Sequence, residues 1–434
     1  MSVRLARMSK APSRAGHPPG LYVMFFTELW ERYSFYSMMA ILSLYMNEAL
    51  HFDVAHVGRI YGAYTAGVYF LPLFGGLLAD RVLGFNRAII SGGILMMFGH
   101  LVLGVDSLPF FYLGLVLLAC GSGLLKANVS TIVGNLYRDR PELRDQGFNI
   151  FYMGINMGAF FAPLAVSWLR TQFGWSVAFM SAAVAMLMSL IVYTVFNRHV
   201  RDAAARVDVS SPEVQSISAE ETRSRIITLL AVLAISTVFW LAFYQIFYTF
   251  TFWARDNTIT SWPAERFQVF EPLGVIVLSP VLVALWVWLQ RRGKEPSTPV
   301  KMLLGVVLIA AAFAMLAYAG ASGGDTGRVS AQWLIWANVL IAIGEIALSP
   351  MGLSLVNKLA PPRNRGILMG GWYASLALGG YLAGYIGGSW DRMPHSRFFL
   401  MVVAILMASA IPLSFLTPQI KRTLRRAESA TAAA

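Results

Sequence analysis

The stretch "TELWERYSFYSM", Thr27 to Met38, sets two glutamates and an arginine side by side in sequence that is otherwise strongly apolar. At 3.6 residues per turn, Glu28 and Arg32 stand one turn apart and Tyr36 continues their stripe, with Glu31 about 60° round the helix from Glu28. A cluster of this kind partly neutralises itself and can line one cavity-facing sector of a helix. Its chemistry is proton exchange. A poorly compensated carboxyl favours its protonated form, and a neighbouring cation favours the carboxylate, so a change of hydration or partner moves the proton. Other apolar segments carry comparable groups. Lys126 and Asn128 follow the glycines of "GSGLLKANVS", and Asn156 lies between Gly154 and Gly158 in "FYMGINMGAFFAP". Glu271 precedes Pro272 in "FQVFEPLG", and Glu345 follows Gly344 in "IGEIALSPMG", where Pro350 predicts a helix break. A static packing network is the competing reading, and for Asn156 the Gly154/Gly158 pair alone already accounts for helix contact. Sodium is an alternative coupling ion, but no compact set of oxygen ligands accompanies these residues.

Such groups need apolar helices to hold them, and the chain supplies these in abundance. Its 434 residues are 57% hydrophobic and 13% charged, with 37 glycines and 19 prolines, whereas soluble domains carry about a quarter charged residues. A single cysteine excludes a disulfide scaffold or thiolate metal cluster. Segments of about 20 apolar residues span a bilayer. Twelve are expected, at roughly 21–47, 57–80, 88–105, 109–134, 146–169, 174–196, 226–253, 267–289, 302–320, 331–356, 366–389 and 397–417. The first is too long and too charged for a signal peptide. The polar stretch 197–225 divides the spans six and six, between tails at 1–20 and 419–434. The expectation is therefore an all-α polytopic membrane protein of two six-helix bundles, 21–196 and 226–418.

The net charge of +12 belongs to this topology. Most basic residues fall in the tails, the linker and alternate loops, which predicts cytoplasmic termini in a plasma (inner) membrane. They form no nucleic-acid-binding face or motif. In the linker, Arg198, Arg201 and Arg206 are expected to meet anionic lipid. No enzyme chemistry is indicated. The six histidines are scattered and form no metal-ligand spacing. No nucleophile motif is present, and the glycines of "GGLLAD" precede no Walker lysine. No cofactor is expected beyond the proton as coupling ion.

Taken together, the motifs resemble the proton-dependent oligopeptide transporters of the major facilitator superfamily. "ELWERYSFY" is similar to that family's Glu-x-x-Glu-Arg-Phe signature, and "GGLLADRVLG" to the superfamily's cytoplasmic gating motif. "GLLKANVS", "FYMGINMGAFFAP" and "GEIALSPMGLSLVNKLAP" resemble the motifs of spans four, five and ten, and "FWLAFYQ" and "FQVFEPL" more loosely those of spans seven and eight. The resemblance implies a twelve-helix fold and proton-coupled import of di- and tripeptides by alternating access, with a monomer sufficing. A relative carrying another small solute (an amino acid, a peptide-like metabolite or an organic cation) is the alternative.

Carried over residue by residue, the resemblance makes Glu28, Glu31, Arg32 and Lys126 the proton-coupling group, with Arg32 and Lys126 also receiving the peptide carboxylate. Tyr36, Tyr69 and Asn156 are implied cavity residues, and Glu345 the acceptor of the peptide amino group. Trp240 and Trp372 would shape side-chain pockets. Asp80 and Arg81 would hold the cytoplasmic helix ends together. The departures are equally specific. Phe35 stands where a tyrosine is usual, Ala127 where a proline is common and Gly380 where asparagine is frequent. Met39 and Tyr244 are neutral where many bacterial members form an interdomain ion pair. Glu271 falls where asparagine is usual, which adds it to both the coupling and the binding candidates. The short linker has no room for the two extra helices common in bacterial members.

Overall fold

The computed structural model of the chain describes residues 16–205, 219–360 and 365–432. The first half comprises α1 (Pro19–Leu44), α2 (Val54–Phe70), the short α3 (Pro72–Leu78), α4 (Phe85–Leu103), α5 (Leu108–Asn135), α6 (Arg144–Phe173) and α7 (Trp175–Val195). The second comprises α8 (Ala219–Phe243), the short α9 (Thr249–Asp256), α10 (Phe270–Arg291), α11 (Thr298–Ala319), α12 (Gln332–Leu359), α13 (Arg365–Gly387) and α14 (His395–Ala432). The pairs α2–α3 and α8–α9 each make one broken span, so each half crosses six times. Among the described residues, ten helices are long and apolar enough to cross a membrane. The other two long ones are α1, with its three charges, and the glycine-rich α13. We call the face where α1 begins the tail face, and the opposite one the far face.

Local chemistry starts several of these helices. Proline occupies the first turn of α1, α5 and α11, where its missing N–H costs nothing. The Asp53 side chain caps α2 by accepting from the His56 N–H at 2.7 Å.

The packing repeats between the halves. In the first, α1 lies on α6 and α7, and α4 on α5 and α7; in the second, α8 lies on α13 and α14, and α11 on α12 and α14. Each pairing joins the equivalent spans of its half, the pattern of an internal repeat. The chemistry repeats as well. A Cβ on Gly92 of α4 would fall 2.6 Å from the Gly121 carbonyl of α5, and one on Gly305 of α11 would fall 2.7 Å from the Gly344 carbonyl of α12. In lipid, helices associate through close packing rather than a hydrophobic drive, so these positions admit no side chain. Across the halves α2 meets α13 and α6 meets α10, so the second span of each half packs on the fifth span of the other.

Three details differ from the sequence expectation. The stretch 197–225 is not all linker, because α8 begins at Ala219. Its first turns hold Glu220 and Glu221, favourable at a helix N-terminus, and Glu221 pairs with Arg225 one turn on at 2.5 Å. Of the linker arginines, Arg198 and Arg201 are exposed, and Arg206 lies outside the described residues. Likewise α14 continues to Ala432, through most of the expected tail, since residues such as Lys421, Arg422 and Leu424 are good helix formers. Finally, α12 runs through Pro350 without a break. The proline removes one backbone bond, and packing of α12 against α10 and α11 holds the helix across it. On the far face, Thr258–Ile259 and Val329–Ser330 form a two-residue parallel bridge.

Candidate functional site

Arg32 is the hub of the opening cluster. Its guanidinium forks onto Glu31, through Nε and through Nη2 at 2.5 Å, and its Nε also stands 3.2 Å from Glu28 Oε1. All three side chains are buried. Lys126, on α5, does not join this pairing. Its ammonium lies 3.9 Å from the Tyr69 ring centroid and 5.6 Å from that of Phe35, with no hydrogen-bond partner. The Phe35 ring also faces Arg32, at 5.1 Å. The phenylalanine that replaces a tyrosine thus offers a π surface to both cations, and a desolvated cation–π contact holds about 2 kcal/mol. The arginine is shared between two carboxylates, and the lysine is held in reserve on aromatic rings.

Above this cluster is a small central cavity of about 70 Å³, lined by Phe35, Tyr36, Met39, Tyr69, Trp240, Phe243, Tyr244, Phe247, Glu345 and Leu376. It draws on α1, α2, α8, α12 and α13, hence on both halves. The 3-10 turn Tyr244–Phe247 between α8 and α9 turns Tyr244 and Phe247 into it. Glu345 is the acidic group of the wall, and Glu271, in the first turn of α10, meets it side chain to side chain. Tyr152 Oη of α6 stands 3.5 Å from Glu345 Oε1. The two basic groups, Arg32 and Lys126, thus lie in the first half beside Glu28 and Glu31, while the second half presents only the carboxyls of Glu345 and Glu271.

Of the expected binding residues, Tyr36, Tyr69, Trp240 and Glu345 line this cavity, and Arg32, Lys126, Glu271, Asn156 and Trp372 do not. Asn156 is buried and spends its amide on its own helix, donating to the Tyr152 carbonyl at 3.0 Å. Its neighbour Gly158 lets α6 approach α1, since a Cβ there would fall 2.5 Å from the Leu29 carbonyl and 2.9 Å from Arg32 Cβ. Trp372 is buried with its ring against Gly352 of α12, where any Cβ would overlap it. Sequence reading passed over Tyr152 and Phe247. Tyr152 is one helical turn before Asn156 in "FYMGINMG", a spacing that marks the shared face; Phe247 carried no comparable signal.

The two ends of the site differ. On the far face the halves are in contact. Tyr61 Oη donates to the Tyr244 carbonyl at 2.9 Å, Ser43 Oγ to the Phe247 carbonyl at 2.8 Å, and the Tyr248 hydroxyl to the Val54 carbonyl. Glycines let α2 and α13 touch: a Cβ on Gly62 would fall 2.8 Å from the Tyr381 carbonyl. Gly380 belongs to this contact, because Thr65 fills the space a side chain would need. Four charges complete the seal. Arg170 of the first half forks onto Glu265 of the second at 2.7 and 3.1 Å, and Arg255 of the second reaches Glu48 of the first at 3.2 Å.

On the tail face a cavity of about 830 Å³ opens between the halves, lined by Pro72, Leu73, Gly76 and Asp80 on one side and Met369, Gly370 and Tyr373 on the other, with Ala127 and Thr131 at its back. Tyr373 is within electrostatic reach of Glu28 and Arg32, so this vestibule leads towards the charged cluster. Asp80 in its lining and the adjacent Arg81 are both exposed, and neither makes an ion pair or hydrogen bond among the described residues. An apolar groove of about 870 Å³ between α1, α6 and α7, with Trp30 and Trp168 in its wall, holds no charged group and faces outward as lipid-contacting surface.

Known proteins share this fold. The family description PTR2, POT family, matches residues 86–219 and 205–402. The uncharacterized transporter YclF of Bacillus subtilis (strain 168) is 32% identical, over 94% of this chain and 96% of its own. Peptide transporter YePEPT of Yersinia enterocolitica is also 32% identical, over 93% of this chain and 94% of its own. A crystal structure of peptide transporter POT in complex with sulfate superposes with a TM-score of 0.87 at 29% identity, covering 94% of this chain and 96% of the other. The chain belongs to the POT family.

Proposed function

We propose that the protein is a proton-coupled symporter that imports di- and tripeptides by alternating access. The observation that carries this reading is a central cavity between two repeated halves, with Glu345 in its second-half wall and Arg32 and Lys126 behind the first-half rings of Phe35 and Tyr69, sealed at the far face and approached from the tail face. A peptide is a dipole with an ammonium at one end and a carboxylate at the other, and this polarity matches it. Arg32 and Lys126 receive the carboxylate, Glu345 receives the amino group, and Tyr36, Tyr69 and Trp240 form the intervening wall. Asn156 and Trp372 act behind that wall, one through the α6–α1 contact and the other through α12. At about 70 Å³ the cavity is well below the several hundred Å³ of occupied ligand sites, so substrate enters only when the halves part.

Coupling follows from the shared arginine. Glu31 is held in the guanidinium fork, whereas Glu28 has one longer contact and is freer to change partner. An arriving carboxylate competes with both for Arg32, and a glutamate released from the arginine takes a proton. Lys126, with no anion of its own, is ready for the substrate. The tail face is cytoplasmic by the distribution of basic residues, so the present arrangement is closed to the outside, with the binding cavity not yet open to the inside. Asp80 and Arg81 close the cytoplasmic mouth in the opposite state. One chain holds both halves of the cavity and works as a monomer, with Arg198 and Arg201 on the anionic leaflet. The protein is a transporter and not an enzyme.

Purified protein in liposomes with an imposed inward proton gradient should accumulate labelled Ala-Ala, and other di- and tripeptides should compete. No gradient-driven accumulation, or competition by single amino acids and amines but not by peptides, would overturn the proposal.

A further inference from the structure

We propose that the transporter prefers dipeptides bearing a second amine on their first residue, and that Glu271 is the group that reads it. The inference rests on the peptide reading above, with the N-terminal ammonium at Glu345. Glu271 is buried, 6% exposed, and meets Glu345 side chain to side chain, yet its Oε1 has no hydrogen-bond partner. No lysine or arginine pairs with either carboxyl among the described residues. One more buried polar atom without a partner, Trp240 Nε1, belongs to a side chain that lines the same cavity as Glu345. Buried polar groups are normally satisfied, so this end of the cavity is built for a ligand with several polar contacts.

One ammonium satisfies one carboxylate. Two adjoining carboxyls offer a place for a second cation beside the first, as a charge-assisted hydrogen bond. A side-chain amine on the first residue branches from the carbon that bears the N-terminal ammonium, so it reaches the carboxyl adjoining Glu345. An amine on the second residue lies a peptide bond further on, out of reach of both carboxyls. The preference is therefore for position and not merely for charge.

The test is counterflow of labelled Ala-Ala in proteoliposomes, competed by Ala-Ala, Lys-Ala, Ala-Lys and 2,3-diaminopropionyl-Ala. Lys-Ala and Ala-Lys have the same composition and charge, which removes non-specific attraction. Lys-Ala and the diaminopropionyl peptide should compete about tenfold more tightly than Ala-Lys, the size expected of one buried charge-assisted bond. In Glu271→Gln the Lys-Ala to Ala-Lys ratio should fall to within about twofold of one, whatever happens to absolute affinity. Where that variant supports no counterflow, the same ratio is read from ligand-induced thermal stabilisation of the purified protein. Equal competition by the two isomers in the unaltered protein, or a ratio that survives Glu271→Gln, overturns the inference while Ala-Ala counterflow leaves peptide transport standing. Absence of any peptide counterflow overturns the transport reading instead.

Discussion

Arg32 decides what the opening cluster can do, because it is divided between two buried carboxylates. Removing it leaves both without a cation, and breaking a buried pair from one side costs about 3–5 kcal/mol; Arg32→Ala should therefore lower thermal stability as well as transport. The glutamates separate coupling from binding. Glu31→Gln should reduce gradient-driven accumulation of Ala-Ala at least about tenfold while keeping more counterflow than Arg32→Ala or Lys126→Ala. The amide still accepts a hydrogen bond from Arg32 but has lost its titratable charge. Glu28→Gln should behave similarly. Paired uptake and counterflow at matched reconstitution measure this. Normal gradient-driven accumulation by Glu31→Gln would remove it from coupling, and full activity of all these variants would make the cluster structural.

Helices meet where glycine permits it, and the α2–α13 contact is where this matters for access. A Cβ on Gly384 would overlap the Gly58 carbonyl, and overpacking of this kind costs about 1–3 kcal/mol. Gly384→Ala should hold the far face apart. In a Cys120→Ser background, a cysteine at Met39, buried in the cavity wall, should then label several-fold faster from the far face. Unchanged labelling would mean that α2 and α13 are not what closes it. The short turn Trp390–Arg392 carries a pH effect. Burial first, and then Asp256 and Asp53, hold Asp391 above the usual carboxylate range against the opposing pull of His395 and Arg255. The folded state thus favours the acid. This stabilising contribution is complete below the unfolded value of 3.8 and is lost as pH rises through the higher folded value. Asp391→Asn should raise Tm slightly at pH 7 and leave it unchanged at about pH 3.5. An equal shift at both pH values would contradict this origin.

Between the two halves, the far-face ion pairs are unequal. Glu265 is fully buried, 0% exposed, whereas Glu48 is about one third exposed. Removing Arg170 strands a buried carboxylate at a cost of about 3–5 kcal/mol, while a partly exposed pair such as Arg255–Glu48 contributes about 0–1 kcal/mol. Arg170→Ala should shift the inward/outward equilibrium far more than Arg255→Ala. Exchanging the partners, Arg170→Glu with Glu265→Arg, should recover part of the uptake that Arg170→Glu alone loses. Uptake and far-face labelling together measure this, and equal effects of Arg170→Ala and Arg255→Ala would show that burial does not set the strength of the seal. The neutral Met39/Tyr244 pair fits this arrangement, because the charges that join the halves lie nearer the far face.

The spans, the charged residues within them and the membrane class were legible in the chain itself. A bilayer imposes a fixed length of apolar sequence, and a glutamate or lysine inside such a length is conspicuous wherever it ends up. Helix ends were less legible. Residues 219–225 and the continuation of α14 are polar yet helical, because hydropathy reports where lipid stops and not where a helix does. Partners on other helices were not legible from spacing. Spacing along α1 brought Glu28, Glu31 and Arg32 together, but only packing sent Lys126 to the rings of Tyr69 and Phe35 and Tyr152 to Glu345. It also joined Glu271 to Glu345 from separate helices and made Arg170, Arg255, Glu48 and Glu265 a seal. These contacts join residues far apart in sequence, and the close approach of helices through glycine that creates them is a property of the folded pair, not of either helix alone.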